Sequence, residues 1–267
     1  MLKKYFFMVL VAIIMGFTVN AYAVLQIDGN LNDWGVSVFS DWIPSSSTAE
    51  WTVSDNKMPD GQPVRDNSPE LYDVEALYFD SDQTNFYFAM VGSYPLTLEE
   101  GGDVAGDMAI DLNPQDSYYN YGVKIARGFG RLLPQNSIQN LELWKNPVWV
   151  NSAYSQFSPL SISGGTKIGS AQVFYKNLGF IEGEVAGFSP SLRYIKGNTY
   201  VLEGSIDRSY FDEFPPGESA IRLHWAESCN NDYINLNGDF DTTIPEPATM
   251  SLLGLGFFGM LKLRRKT

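Results

Sequence analysis

Short apolar and β-branched runs, broken every eight to fifteen residues by Gly, Pro, Asn, Asp or Ser, fill the middle of this chain. Runs of that length between turn residues predict strands, and no long segment carries the 3.6-residue period of an amphipathic helix. The clearest unit is a hairpin from Tyr72 to Val91. Its arms are Val74 to Phe79 and Phe86 to Val91, joined by the polar Ser81 to Asn85. Further strands are expected at Met108 to Leu112, Tyr121 to Ala126, Ala171 to Tyr175, Phe180 to Val185, Thr199 to Ile206, Ala220 to Trp225 and Asp232 to Leu236. Two of these alternate well. Tyr200, Leu202 and Ile206 share one face with Glu203 and Ser205 opposite, and Ile221, Leu223 and Trp225 share another with Arg222 and His224 opposite. Arg208 to Phe211 reads as a short helical turn. Ser40 to Glu70 and Gln135 to Gly169 read as long irregular loops. The pattern predicts an all-β fold, an antiparallel β-sandwich of jelly-roll type, over residues 24–243.

The two ends break this pattern. Residues 1–23 open on Lys3 and Lys4 and continue with an apolar run from Phe6 to Val19. Ala21 and Ala23 place small residues where a signal peptidase reads, so cleavage before Val24 is expected. The run is shorter than the ~20 residues that span a bilayer, which favours a cleaved signal helix over a permanent anchor. At the other end, residues 244–267 hold Pro245-Glu246-Pro247, an apolar stretch from Ala248 to Leu261, and Lys262, Arg264, Arg265 and Lys266. Basic residues stay on the cytoplasmic side, so a short transmembrane helix here leaves the body facing the periplasm. Gly254 to Gly259 fits G-x-G-x-x-G, but it lies inside this apolar stretch and not between a strand and a helix, so it is no nucleotide site. Pro-Glu-Pro, a Leu/Gly-rich helix and an Arg/Lys cluster, in that order, resemble the PEP-CTERM sorting signal of Gram-negative bacteria. The resemblance implies export, brief residence in the inner membrane, processing by an exosortase, and release to the cell surface or extracellular matrix.

Charge changes once the ends are set aside. The whole chain has 18 Lys+Arg against 31 Asp+Glu and a formal charge of −13. Six of the cations and one acid lie in the end segments, so the body carries 12 against 30, or −18. This balance argues against nucleic acid as a partner. The single Cys229 and single His224 exclude a Cys/His zinc site, a disulfide framework and two-histidine catalysis. No G-x-S-x-G elbow is present, and the reading is of a protein that is not an enzyme.

Two resemblances bear on the body. Ile27-Asp28-Gly29, an acid at Asp33 and then Trp34 resemble the start of family 9 carbohydrate-binding modules, which implies a β-sandwich that recognises sugars. Turn chemistry at Asp28-Gly29 and a core role for Trp34 explain the same residues fully and are the favoured account of them. Tyr72-Asp73-Val74-Glu75-Ala76, Gly106 to Asp111, Tyr121-Gly122, and His224-Trp225 followed by Cys229 to Asp232 look like a set of PEP-CTERM exoproteins. Asn230 stands where that pattern prefers Gly.

Two kinds of candidate site follow. No motif requires a cofactor, but Ca²⁺ is the metal that suits clustered carboxylates outside the cell. Asp28, Asp66, Glu70, Asp73, Glu75, Asp107 and Asp111 flank expected strand ends and are its candidate ligands; a solvated acidic face is the competing account. Glycan stacking is the second. Trp42, Trp51, Tyr118, Tyr119, Tyr121, Trp144 and Trp149 lie in or beside expected loops, where aromatic faces meet pyranose rings, though core packing is the favoured account of each taken singly. The expected function is a surface or extracellular-matrix protein that binds polysaccharide or acts in adhesion. A purely structural matrix protein is the alternative, ahead of an ice-binding or glycan-active one.

Overall fold

The computed structural model describes residues 25–37, 42–45, 49–53, 74–92, 105–112, 114, 118–125, 133–151, 158–179, 199–211, 220–226 and 232–239. The leader with Ala21, Ala23 and Val24, the strand expected at Phe180 to Val185, and Asp66, Glu70, Asp73, Cys229 and the tail from 244 to 267 lie outside them.

The described residues form ten strands: β1 (Glu50–Val53), β2 (Val74–Ser81), β3 (Asn85–Gly92), β4 (Met108–Asp111), β5 (Tyr121–Val123), β6 (Ile138–Val150), β7 (Ser161–Gly179), β8 (Thr199–Asp207), β9 (Ala220–Ala226) and β10 (Tyr233–Asp239). The all-β, antiparallel expectation holds. The layering differs: the strands make one sheet, in the order β1-β2-β3-β8-β7-β6-β5-β4-β9-β10. That sheet curls until β10 packs against β1 and β2, where Gly238 leaves room for the Glu50 side chain. It is nearly closed into a barrel, so its opposed walls enclose a core much as two leaves of a sandwich would, and few edges stay unpaired.

Strand alternation decides what fills the inside. Leu77, Phe79, Phe86, Phe88, Met108, Ile110, Val123, Leu141, Leu143, Val173, Tyr175, Leu202, Leu223 and Trp225 point inward and form one continuous core. Phe88 faces Gly204 across β3 and β8, and a Cβ at Gly204 would lie 2.3 Å from the Phe88 ring. Gly106-Asp107 is a junction. Its backbone N–H donates to Ala226 O and its carbonyl accepts from Trp225 Nε1, both at 3.0 Å, while the Asp107 carboxylate accepts from Ile162 N at 2.7 Å.

Three segments expected to be irregular are strands: β1, β6 and the first half of β7. The strand β6 hides because Asn146 (φ 46°) and Pro147 sit at register shifts, where an absent N–H is tolerated. The short helical turn is present at Arg208–Tyr210, capped by Asp207.

A second core lies on the outside of the sheet. Tyr78, Tyr87, Ala89, Val91 and Val201 point away from the barrel and are covered by Leu31, Trp34, Val36 and Trp42 of the N-terminal segment. One side chain joins the two layers. Glu203, fully buried on β8, accepts from Trp34 Nε1 at 2.6 Å through Oε1, and from Asp28 N at 2.9 Å and Gly29 N at 2.7 Å through Oε2. The Ile27 to Trp34 element is therefore a turn with a core tryptophan. Gly29 has φ 69° and lies against Lys176, so a Cβ there would be both strained and crowded. Asp28 Oδ1 accepts from Asn30 N, and Asn30 Oδ1 from Asn32 N, which is the local chemistry of Asx turns.

Burial pushes the Glu203 carboxyl up to about 7, against the pull of its donors Trp34, Gly29 and Asp28 and with the charge of Asp33 adding to the rise. Between its ordinary 4.5 and about 7 the native state holds a proton that the unfolded chain has lost. This contribution to stability is full below the lower value and is lost as pH rises through the upper one. Urea titrations of the wild type and Glu203→Gln should therefore show the wild type's relative stability falling across that window. A difference that stays flat or grows with pH would contradict the assignment.

Candidate functional site

The half of the outer surface not covered by the N-terminal segment is built by β10, β9, β4, β5, β6 and the first half of β7; Phe174, Lys176 and Leu178 of the second half lie against that segment. Register aligns one residue from each in a row: Asn235, His224, Ala109, Gly122, Trp144 and Lys167. The small Ala109 and Gly122 at its middle leave space over the sheet. Trp149 of β6 fills part of it, for a Cβ on Gly122 would lie 2.6 Å from Trp149 Cη2. The indole is pinned by its own N–H, which donates to Tyr119 O at 3.1 Å.

On one side of Gly122 is a charged aromatic cluster. Arg222 Nη2 donates to Asp111 Oδ2 at 2.7 Å, and its guanidinium carbon lies 4.4 Å from the centre of the Tyr119 ring. The Tyr119 ring also packs on His224 at 5.8 Å, and His224 on Tyr233 at 6.2 Å. His224 Nδ1 shares a hydrogen bond with Asn235 Oδ1 at 2.8 Å. Burial pushes the Tyr119 hydroxyl up to about 12 although Arg222 pulls the other way. Asp111 is fully buried, so the guanidinium is what makes its charge tolerable there.

On the other side is a tryptophan between lysines. Lys124 Nζ sits 5.8 Å from the Trp144 ring centre and donates to Ile162 O at 2.9 Å. Lys167, directly across from Trp144, pairs with Glu142 at 2.9 Å with both side chains about half exposed. That ammonium, more than burial, governs Glu142 and holds its carboxyl below the ordinary range. Trp144 and Trp149 are half-buried, and Tyr118, whose carbonyl lies 3.5 Å from Arg222 Nη2, is 72% exposed.

The structure thus brings together Tyr119, Trp144 and Trp149 from the stacking candidates. It does not bring Trp42, which is 2% exposed in the second core with its carbonyl bonded to Tyr78 Oη; that ring is a packing element. Tyr121 points into the main core, and Trp51 is half-exposed on β1, far along the strand order. Among the acids, Asp107 is spent on Ile162 N, Asp111 on Arg222, and Asp28 on its own turn; Glu75 is buried beside the bulge of β2. Among the described residues no three His, Cys, Asp or Glu side chains gather as a metal would need.

Outside the described residues, one comparison is decisive. Residues 243–266 match the PEP-CTERM protein-sorting motif. The motif marks the chain for export through an exosortase system, with membrane-anchored transit. No curated protein matches the chain. Among the described residues no helix is long and apolar enough to cross a membrane.

Arg222, Lys124 and Lys167 were not among the expected site residues. A signal for the lysines exists in the sequence: between residues 117 and 181 there are six Lys/Arg and a single acid, Glu142. The −13 total conceals it.

Replacing Arg222 by Met should destabilise the protein by about 3–5 kcal/mol, because it strands a buried carboxylate. Adding Asp111→Asn should recover part of that loss. Urea unfolding of the two single variants and the double variant measures this; purely additive losses would show that the two groups do not depend on each other.

Proposed function

We propose that this is a non-catalytic exported protein that binds extracellular polysaccharide through the outer face of β5, β6 and β7, and so attaches to the cell surface or matrix. The observation that carries the reading is the aromatic set Trp144, Trp149 and Tyr119 on one side of the sheet, with Lys124, Lys167, Glu142 and Arg222 around it. Flat aromatic faces stack on the C–H faces of pyranose rings, and flanking polar groups bond the hydroxyls. Opposite walls of the barrel divide the work: one outer half is buried under the N-terminal segment, the other presents this set.

The sorting motif supports the setting. A body delivered by an exosortase meets secreted polymer and not cytoplasmic partners. In this proposal the leader is removed before Val24 by signal peptidase, and the apolar tail holds the precursor in the inner membrane with the body facing the periplasm until processing near Pro245-Glu246-Pro247.

Full-length protein in mild detergent, incubated with exopolysaccharide from the producing cells, should be retained. Trp144→Ala and Trp149→Ala should each weaken retention by about tenfold, the scale of an anchoring aromatic at an interface. Retention unchanged in both variants, or absent in the wild type, would instead favour a purely structural matrix protein.

A further inference from the structure

The polysaccharide reading leaves the ligand's charge open, and the distribution of charge along this chain addresses it. Half of the body's 12 Lys+Arg fall between residues 117 and 181: Lys124, Arg127, Arg131, Lys145, Lys167 and Lys176. The same segment holds one of the body's 30 acids. Charge is therefore strongly segregated along the sequence: a segment at +5 within a body at −18. Of its six cations, Lys124 and Lys167 stand by Trp144, Lys176 lies against Gly29 of the N-terminal turn, and Arg127 and Arg131 lie outside the described residues. That segment supplies β5, β6 and β7, which also carry the tryptophans. Bland solubility does not account for this. An acidic exterior keeps a protein apart from its copies wherever the charge falls, and nothing in that purpose calls for clearing acids from three adjacent strands.

Geometry places the cations where a stacked ring would present its substituents. Trp144 has Lys167 directly opposite on β7 and Lys124, just past the end of β5, over its ring. Lys124 reaches the indole itself, and Lys167 is its cross-strand neighbour. Lys167 is held by Glu142 in a half-exposed pair, which another carboxylate can exchange at little cost. Resting on the polysaccharide reading of the same face, we infer that the ligand is an acidic polysaccharide, a polymer of carboxylate-bearing pyranoses. Its ring stacks on Trp144 while its carboxylates meet Lys124 and Lys167. In a body whose net charge is −18, Lys124 and Lys167 beside the indole are what this face offers to a polyanion.

The test uses the full-length chain in mild detergent with three probes: polygalacturonate, the neutral pyranose polymer dextran, and polyglutamate, which has carboxylates but no sugar rings. Polygalacturonate should bind best, with affinity falling steeply as NaCl rises from about 50 to 500 mM, as screened ion pairs require. Lys124→Gln with Lys167→Gln should weaken it by about tenfold and flatten the salt dependence, and Trp144→Ala should weaken it as well. The salt series on the wild type stands alone if the double variant fails to fold. Equal, salt-insensitive binding of dextran and polygalacturonate would overturn the acidic ligand and leave the polysaccharide reading intact. Equal binding of polyglutamate would overturn it by showing that charge suffices. Binding of neither sugar polymer would remove both readings. Salt-sensitive self-association in sedimentation, with no polymer retained, would overturn the inference by assigning the face to the acidic side of a second copy.

Discussion

Glu203 has no contact with water, yet three donors converge on its carboxyl: the Trp34 indole and the backbone N–H groups of Asp28 and Gly29. A buried carboxyl is costly unless it is satisfied in this way, and the donors come from a segment more than 160 residues distant in the chain. The side chain therefore cannot sit comfortably on β8 unless the first turn of the body is docked. Once that turn is docked, Trp34 and Trp42 cover the outward faces of Tyr78, Tyr87 and Val201, and the wall formed by β2, β3 and β8 has cores on both sides. The other outer half is left with a different fate. Its outward side chains are Arg222, Trp144, Lys124 and Lys167 instead of an apolar layer awaiting cover.

That division explains which parts were legible in the sequence. The hairpin from Val74 to Val91 follows from two nearly continuous apolar runs around a polar turn, because both faces of β2 and β3 enter a core. The strands β9 and β10 follow from period-two alternation, because one face enters the core and the other does not, and β8 alternates as well although its Val201 and Glu203 are buried against the N-terminal segment. The strands β6 and the first half of β7 were not legible. Their outward faces mix polar residues with exposed apolar ones, their glycines and Pro147 mimic loop composition, and three register shifts interrupt their alternation. Strand register is a long-range property, and a run such as Ser161 to Gly169 becomes a strand because β6 lies beside it. The same ambiguity hid the closure. A single curled sheet and two facing sheets require the same inward alternation, so only the pairing of β8 with both β3 and β7 tells them apart.

The candidate chemistry divides along similar lines. Tyr119, Trp144 and Trp149 were recognisable as aromatics in polar surroundings, and they converge. Trp42 looked the same in sequence but lies under Tyr78, since nothing local distinguishes a tryptophan that plugs a layer from one that faces out. Carboxylates were the least readable. Asp107, Asp111 and Asp28 each answer a nearby donor: the Ile162 N–H, the Arg222 guanidinium and the Asn30 N–H. An acid at a strand end is as often the acceptor that completes a junction as a ligand. The cations, few in an acidic protein, proved the more informative class.

Hydrogen–deuterium exchange of the full-length protein, with and without saturating polygalacturonate, tests the two-sided account most directly. The account predicts new protection in peptides covering β5, β6 and the Ser161 to Gly169 half of β7. It predicts no change in peptides covering residues 28–34 and β2, where the Glu203 lock already seals the surface. Protection concentrated on the N-terminal segment, with β5 to β7 unchanged, would contradict it.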